Sequence, residues 1–227
     1  MSRIRAAQFL VGLLVAGLGA CSPIAVTPPF HFMETAETLK RGEVSANVAG
    51  GGAAQLWMKG GGVGARVRVG LGARQEVGAE GAVAWAHWDD YDSDDKGMLS
   101  GGKLSWKGGV TEWLALIAGV GFGDAPNGTV VGGDLGVLMS PSRPGVLAPY
   151  LGLRLGLGVP VASDGKSTIG LTPIIGVALA AGSIVRLHAE MGWLNAWGTP
   201  LGHESYEWRS AFYGGLGLTV VFRRRSR

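Results

Sequence analysis

Hydrophobic and polar residues alternate along most of the chain after residue 42, and this alternation predicts β-strands. The longest example is residues 147–159, where one face carries Leu147, Pro149, Leu151, Leu153, Leu155, Leu157 and Val159. Tyr150, Gly152, Arg154, Gly156 and Gly158 occupy the positions between them. Because successive strand side chains point to opposite faces, this strand has an apolar face and a small or polar face. The stretch is long enough for a transmembrane β-strand, which needs about 9–11 residues.

The same pattern recurs and predicts ten strands. They cover about 43–57, 63–72, 74–88, 97–107, 110–122, 129–140, 147–159, 168–181, 183–197 and 208–223. Short connections (72–73, 108–109, 140–146 and 182) alternate with longer or more polar ones (59–62, 89–96, 123–128, 160–167 and 198–207). An even strand count with short turns at one end and longer loops at the other is typical of outer-membrane barrels. The predicted fold is all-β, a closed antiparallel up-and-down transmembrane β-barrel spanning residues 43–223.

A soluble barrel of the lipocalin kind is the structural alternative, and it reverses the two faces of every strand. Aromatic residues lie towards the predicted strand ends: Trp57, Trp85, Trp88, Trp106, Tyr150, Trp193, Trp197 and Trp208. Such residues favour the headgroup level of a bilayer. Packing inside a soluble barrel would also explain them, so the aromatic residues alone do not decide between the two folds.

The N-terminus has the layout of a secretory signal peptide over residues 1–20. Arg3 and Arg5 precede an apolar run that ends in small residues. Leu18-Gly19-Ala20-Cys21 resembles the lipobox of bacterial lipoproteins, which implies that Cys21 is acylated (palmitate or a similar chain) and becomes the first mature residue. Cys21 is the only cysteine, so no intramolecular disulfide can form. An ordinary signal peptide with a chance cysteine is the alternative.

Composition excludes several classes of protein. The chain has 41 glycines, but 47% of its residues are hydrophobic and 16% are charged, the opposite of a disordered chain. Without Arg3 and Arg5, 18 basic residues face 17 acidic ones. The basic excess lies in the tail (Arg223 and residues 224–227), which is either a solvated terminus or a contact for anionic lipid heads. Nucleic acid is not an expected partner, because no basic face runs through the predicted fold.

Two stretches resemble bacterial outer-membrane β-barrel proteins. Residues 35–43, TAETLKRGE, resemble the "TA-x-TL-x-x-GE" lead-in that often precedes the first strand. Residues 215–222, GLGLTVVF, resemble the C-terminal signal read by the barrel assembly machinery. The resemblance implies that this machinery is a partner during biogenesis and that residues 21–42 form a lipidated linker. An even strand count puts both termini on one side, predicted to be the periplasm, with the barrel in the outer membrane.

Charged residues occupy many of the predicted inward positions. The predicted lumen network consists of Arg66, Arg68, Glu76, Glu80, Lys103, Asp134, Arg154, Arg186, His188 and Glu190, and Glu43, Lys107 and Arg209 also face inward. Side chains fill the interior of an eight-stranded barrel, whereas aqueous channels have 16–18 strands. Ten strands therefore favour a lumen plugged by ion pairs. A narrow path for ions or small solutes is the alternative.

Three stretches are candidates for chemistry. Arg186-x-His188-x-Glu190 sets a histidine near a carboxylate, as a general base requires, although filling the lumen is the favoured role. His203, Ser205 and Glu207 resemble the His-x-Ser pair and acid of outer-membrane lipid A deacylases. Residues 89–95, DDYDSDD, offer oxygen ligands for calcium but lack the EF-hand spacing, which favours a solvated loop.

The sequence thus predicts a structural or envelope-complex component that contacts outer-membrane lipids and an envelope protein. It predicts no cofactor, no metal site and no catalytic residue. A narrow pore and a lipid-modifying hydrolase are the alternative functions.

Overall fold

The chain folds into a closed barrel of ten antiparallel strands in a computed structural model that describes residues 33–55, 58–90, 93–125, 128–141, 146–161, 167–198 and 207–223. The strands are β1 (Val44–Gln55), β2 (Met58–Gly72), β3 (Gln75–Asp90), β4 (Ser93–Gly109), β5 (Leu114–Ala125), β6 (Gly128–Met139), β7 (Leu147–Pro160), β8 (Thr168–Ala181), β9 (Val185–Gly198) and β10 (Glu207–Phe222). Each strand pairs with its neighbour along the chain, and β1 pairs with β10. This confirms the predicted fold class. Within the described residues, no helix is long and apolar enough to cross a membrane.

The two ends of the barrel differ in how their strands are joined. Val44 at the start of β1 lies opposite Phe222 at the end of β10, so the described chain begins and finishes at one end. That end also carries the β2–β3 turn at Ala73 and Arg74, both of which have positive φ angles (50° and 61°). We call it the turn end, and the opposite end the loop end.

The outer face of the barrel is apolar and the inner face is small or polar. On β7, Leu151, Leu153 and Leu155 are 51%, 46% and 40% exposed, whereas Tyr150 and Arg154 are buried. The same pattern holds around the barrel, where exposed apolar residues include Val67, Val69, Leu104, Val120, Phe122, Leu171, Ile175, Met191 and Leu216. A lipocalin has apolar residues inside its barrel and polar residues outside. This barrel has the opposite arrangement, so the prediction of a soluble barrel of the lipocalin kind is wrong.

Several predicted connections are strand instead of loop. β2 begins at Met58, so the predicted loop 59–62 lies within it, and β3 and β4 continue through most of the predicted loop 89–96. Backbone pairing persists where side-chain alternation stops, because ladder hydrogen bonds do not require apolar side chains. Conversely, residues 110–113, predicted to begin β5, form a turn in which the backbone amides of Val110 and Thr111 bind the Leu114 carbonyl oxygen.

Tyr150 lies inside the barrel, not at the headgroup level where its position near a strand end placed it. It is four residues from Arg154 on β7, so the two side chains share the inner face, and Tyr150 is 1% exposed. Its ring covers Gly176, its register partner on β8. Tyr213 covers Gly192 on β9 in the same way. Each glycine thus leaves the space that a tyrosine ring fills.

Replacing Gly176 with alanine tests this packing. A Cβ atom at residue 176 would overlap the Tyr150 ring. We expect Gly176→Ala to lower the free energy of unfolding by about 1–3 kcal/mol, the usual cost of overpacking. The matched control is Gly81→Ala, because a Cβ there would meet its nearest atom at an ordinary 3.7 Å. Urea titration of the folded barrel, followed by tryptophan fluorescence, measures the free energy of unfolding of both variants. Equal losses of stability in the two variants would contradict the packing of Tyr150 against Gly176.

Candidate functional site: the charged lumen

Oppositely charged side chains pair between neighbouring strands on the inner wall. Glu76 on β3 and Lys107 on β4 are register partners, with 2.9 Å between Oε1 and Nζ. Glu80 and Lys103 repeat this arrangement four residues away along the same two strands, with 2.6 Å between Oε1 and Nζ. Arg66 on β2 is the register partner of Glu80 on β3, with 3.9 Å between Arg66 Nη1 and Glu80 Oε2. These pairs form because inward positions recur at every second residue and opposed strands bring them together.

Asp134 on β6 extends this charge network around the wall. Its Oδ2 accepts a hydrogen bond from Lys103 Nζ at 3.3 Å and pairs with Arg154 Nε from β7. Its side chain is 2% exposed, so it sits among its cationic partners almost out of contact with water. The charges therefore run without a break from β2 to β7.

Residues 33–41, which we call the inner segment, enter the lumen from the turn end. Gly42, with a φ angle of 79°, and Glu43 form backbone hydrogen bonds with Gly70 of β2. Gly70 has no Cβ, which allows the backbone at Lys40 to pass against it. Deeper inside, Met33, Thr35 and Ala36 are buried. The sequence placed these residues in a linker ahead of the barrel, but the described part of that stretch packs inside it.

Glu34 on the inner segment stands at the centre of three cations. Its Oε1 lies 3.1 Å from Arg66 Nη1 and 3.1 Å from Arg68 Nη2. Its Oε2 lies 3.1 Å from Lys107 Nζ. Glu34 is not among the predicted lumen residues, because it precedes the first strand and alternation says nothing about it. A signal was nevertheless present: the inward positions of the predicted strands held more cations than anions.

The surroundings of Glu34 keep its carboxyl group ionised. Burial by itself would raise its pKa, but the charges of Arg66, Arg68 and Lys107 lower it by more. The net result is a pKa well below the usual range for glutamate. The side chain is therefore a carboxylate at any physiological pH.

Further contacts hold the inner segment along its length. Lys107 Nζ donates to the carbonyl oxygens of Thr35 and Glu37 at 2.7 and 2.8 Å. The Ala36 amide donates to Ser140 Oγ at 2.9 Å. Arg186 pairs with Glu37, and its Nη1 donates to Thr35 Oγ1 at 3.3 Å. The segment thus contacts β4, the end of β6 and β9, which lie on different sides of the lumen.

Glu190 and His188 belong to a second group of contacts on β9. Glu190 Oε2 accepts hydrogen bonds from the Met33 amide at 2.7 Å and from the Tyr150 hydroxyl at 3.0 Å. Tyr213 donates to Glu190 Oε1 at 3.4 Å. His188 Nε2 lies 3.0 Å from Thr219 Oγ1. These partners of His188 and Glu190 all lie in the lumen, where the two side chains fill space and hold the inner segment.

Apolar residues also fill part of the lumen, next to the charges of β6, β7 and β9. A buried cluster joins inward side chains of β5 to β8 and β10: Ile117, Leu138, Ala148, Tyr150, Ile174, Ala178 and Tyr213. Within the described residues, the lumen near the turn end is thus filled by three components: wall ion pairs, this apolar cluster, and the inner segment.

Several predicted residues lie outside what the structure describes. These are the signal peptide, Cys21, His203, Ser205 and the tail 224–227. The backbones of Glu207, Arg209 and most of residues 89–95 lie in strands, but their side chains are outside the described set. Within the described residues, no cluster of histidine, cysteine, aspartate and glutamate is placed to hold a metal ion.

Comparison with known proteins gives similarities of fold. No protein-family model and no curated protein matches the chain. Among solved structures, it is similar to the outer membrane protease OmpT from Escherichia coli (11% identity, TM-score 0.45, 83% of this chain and 100% of that chain). It is also similar to the translocator domain of the Neisseria meningitidis autotransporter NalP (15% identity, TM-score 0.44, 79% of this chain and 88% of that chain). A third similar structure is the β domain of the Bordetella autotransporter BrkA (14% identity, TM-score 0.47, 81% of this chain and 100% of that chain).

Neutralising Glu34 tests its role in the lumen. We expect Glu34→Gln to lower the free energy of unfolding at pH 7 by about 3–5 kcal/mol, because it leaves three buried cations without their shared counter-charge. The exposed pair of Glu112 and Arg74 (3.5 Å) supplies the control, Glu112→Gln, for which we expect less than about 1 kcal/mol. Urea titrations compare the two variants.

The pH dependence of the Glu34→Gln effect gives an independent check. The pKa of Glu34 is lower in the folded chain than in the unfolded chain, where a glutamate titrates near about 4.3. Its contribution is therefore complete above about pH 5 and is lost as the pH falls towards the folded pKa. The difference between wild type and variant should be constant from about pH 6 to 8 and shrink below about pH 4. A difference that grows in acid would contradict the ion-pair assignment.

Proposed function

We propose that this protein is a bacterial outer-membrane β-barrel with a closed lumen, which acts as a structural or envelope-complex component. The observation that carries the proposal is the inner segment, whose Glu34 joins the charges of β2 and β4 near the turn end. A barrel filled in this way resists the passage of solutes, so its role lies in its outer surface and loops.

The apolar outer face supports a membrane location. Large apolar side chains are exposed on the strands around the barrel, among them Val67, Leu104, Val120, Leu153, Ile175, Met191 and Leu216. A continuous apolar exterior of this kind requires lipid or another apolar partner, because soluble monomers rarely expose patches larger than a few hundred Å². Lipid is the partner that fits a closed barrel, since every strand already has two neighbours.

The proposed orientation places the turn end in the periplasm. The short β2–β3 turn and the start of β1 lie at this end, and short turns face the periplasm in outer-membrane barrels. In this orientation, acylated Cys21 would anchor the chain to the membrane. The loop end would face the outside, where an envelope partner can bind. Assembly into the membrane would use the barrel assembly machinery.

Conductance in a planar bilayer tests the closed lumen. We expect the purified, folded protein to give no steady current steps, because ion pairs and the inner segment fill the described lumen. Heat-modifiable gel migration shows that the sample is folded, and a known porin inserted in the same bilayer is the positive control. Steady, salt-dependent steps from the wild-type protein would contradict the proposal and favour a narrow pore.

An arginine on the outer face tests the membrane location. Leu153 lies in the middle of β7 and is 46% exposed. We expect Leu153→Arg to lower the free energy of unfolding in lipid vesicles by about 2–4 kcal/mol, the cost of a charge near the bilayer midplane. Val161, 59% exposed just beyond the end of β7, supplies the control Val161→Arg, with an expected cost of about 0–1 kcal/mol. If the face met water instead, both variants would cost less than about 0.5 kcal/mol.

A further inference from the structure

We propose that the inner segment is a displaceable gate, and that its withdrawal opens a path through the lumen for small anions. This goes beyond the closed barrel proposed above, which is the state with the segment in place. Anionic groups, carboxylate or phosphate, are the chemical class that the exposed site would bind.

Some contacts in the lumen run along the wall, and others reach the inner segment. The Glu76–Lys107, Glu80–Lys103 and Asp134–Arg154 pairs each join neighbouring strands, so they can stay on the wall. Lys103 also reaches Asp134 two strands away, which is still on the same side of the barrel. Glu34, by contrast, joins β2 to β4, while the same segment contacts Ser140 and β9. Within the described residues, the segment is therefore the charged element that links the sides of the lumen, beside the apolar cluster that joins β5–β8 to β10.

Withdrawal of the segment leaves more cations than anions on the wall. Six described cations face the lumen: Arg66, Arg68, Lys103, Lys107, Arg154 and Arg186. The wall supplies five described anions, Glu43, Glu76, Glu80, Asp134 and Glu190, and the segment supplies Glu34 and Glu37. With the segment in place, these seven anions outnumber the six cations. Without it, six cations face five anions, and such a field favours anions over cations.

Glu34 occupies a site that suits other anions. Arg66, Arg68 and Lys107 converge on its two oxygens with buried side chains. Within the described residues, Arg68 still has two buried atoms, Nε and Nη1, without a hydrogen-bond partner. An incoming carboxylate or phosphate could therefore take the place of Glu34 and also use these donors.

The turn end leaves open space beside the inner segment. A cavity of about 400 Å³ lies beside the inner segment there, between residues 36–41 and the two turns that carry Arg74 and Glu112. The segment meets the wall through hydrogen bonds and ion pairs, most of them buried, and salt screens buried pairs only weakly, so another anion must take the place of Glu34. Because residues 33–41 belong to no strand, their withdrawal leaves the strand pairing intact.

The experiment reverses the charge of Glu34. In Glu34→Lys, a lysine faces Arg66, Arg68 and Lys107, and repulsion expels the segment while every wall residue is kept. We expect this variant, shown to be folded by heat-modifiable migration, to give current steps in a planar bilayer. The reversal potential under a potassium chloride gradient should show that chloride is more permeant than potassium. Glu112→Lys, at an exposed position of the rim, is the matched control and should behave as the wild type.

A thiol probe shows whether the segment itself has moved. In a Cys21→Ser background, Ala36→Cys places the only thiol on the inner segment, at a position that is 2% exposed. We expect a charged maleimide to label this thiol slowly when Glu34 is present and rapidly when Glu34→Lys is added. Phosphate at millimolar concentration should also speed labelling in the chain that keeps Glu34, because phosphate competes for the three cations.

The outcomes separate this inference from the closed-lumen proposal. Steady current from the wild-type protein would overturn the closed lumen. The gate would then stand only if Glu34→Lys increased both the current and the rate of maleimide labelling. A folded Glu34→Lys protein that stays silent overturns the gate and leaves the closed lumen standing. Cation-selective current, or current with Ala36→Cys still protected, overturns the gate as well.

Discussion

Charge neutrality inside the lumen is the constraint on which the rest of the structure depends. A barrel of ten strands encloses a narrow interior, and its inner wall carries several arginines and lysines with little contact to water. Unpaired charges in such a place cost several kcal/mol each, so every cation needs an anion nearby. The wall alone does not provide enough of them. The chain completes the balance by turning residues 33–41 inward, which also fills the space that the wall leaves.

Much of the fold could be predicted because strand alternation records which side of the wall a residue faces. The number of strands, their order and the apolar exterior all follow from it, as on β7, where leucines and small or polar residues alternate. The limits of the strands could not be predicted in the same way. Alternation marks the part of a strand between lipid and lumen, whereas pairing continues past it: β2 extends through glycines that carry no side-chain signal, and β3 and β4 through acidic residues.

The wall charges of the site could also be predicted, but their central partner could not. Arg66, Lys103 and Asp134 lie on strands in which apolar and polar residues alternate. Their apolar neighbours face outwards, so these three side chains must face inwards. Glu34 lies in a stretch without periodicity, and nothing local shows that the chain enters the lumen there. Similarly, Glu190 could be placed on the inner face, but not its hydrogen bonds to Tyr150 and Tyr213. Those depend on the way in which β7, β9 and β10 curve towards one another.

The position of the inner segment at the start of the chain has a consequence for the order of folding. Glu34 meets Arg66, Arg68 and Lys107 over sequence separations of 32, 34 and 73 residues, whereas the bond from Met33 to Glu190 spans 157. Short separations close first, since long loops lose more entropy. The first four strands can therefore fold around the segment, with Glu34, Glu76 and Glu80 paired to their four lumen cations, while the last strands are still unpaired. These strands would pair most of their inner charges early, and the final meeting of β1 with β10 would enclose a lumen that is already occupied.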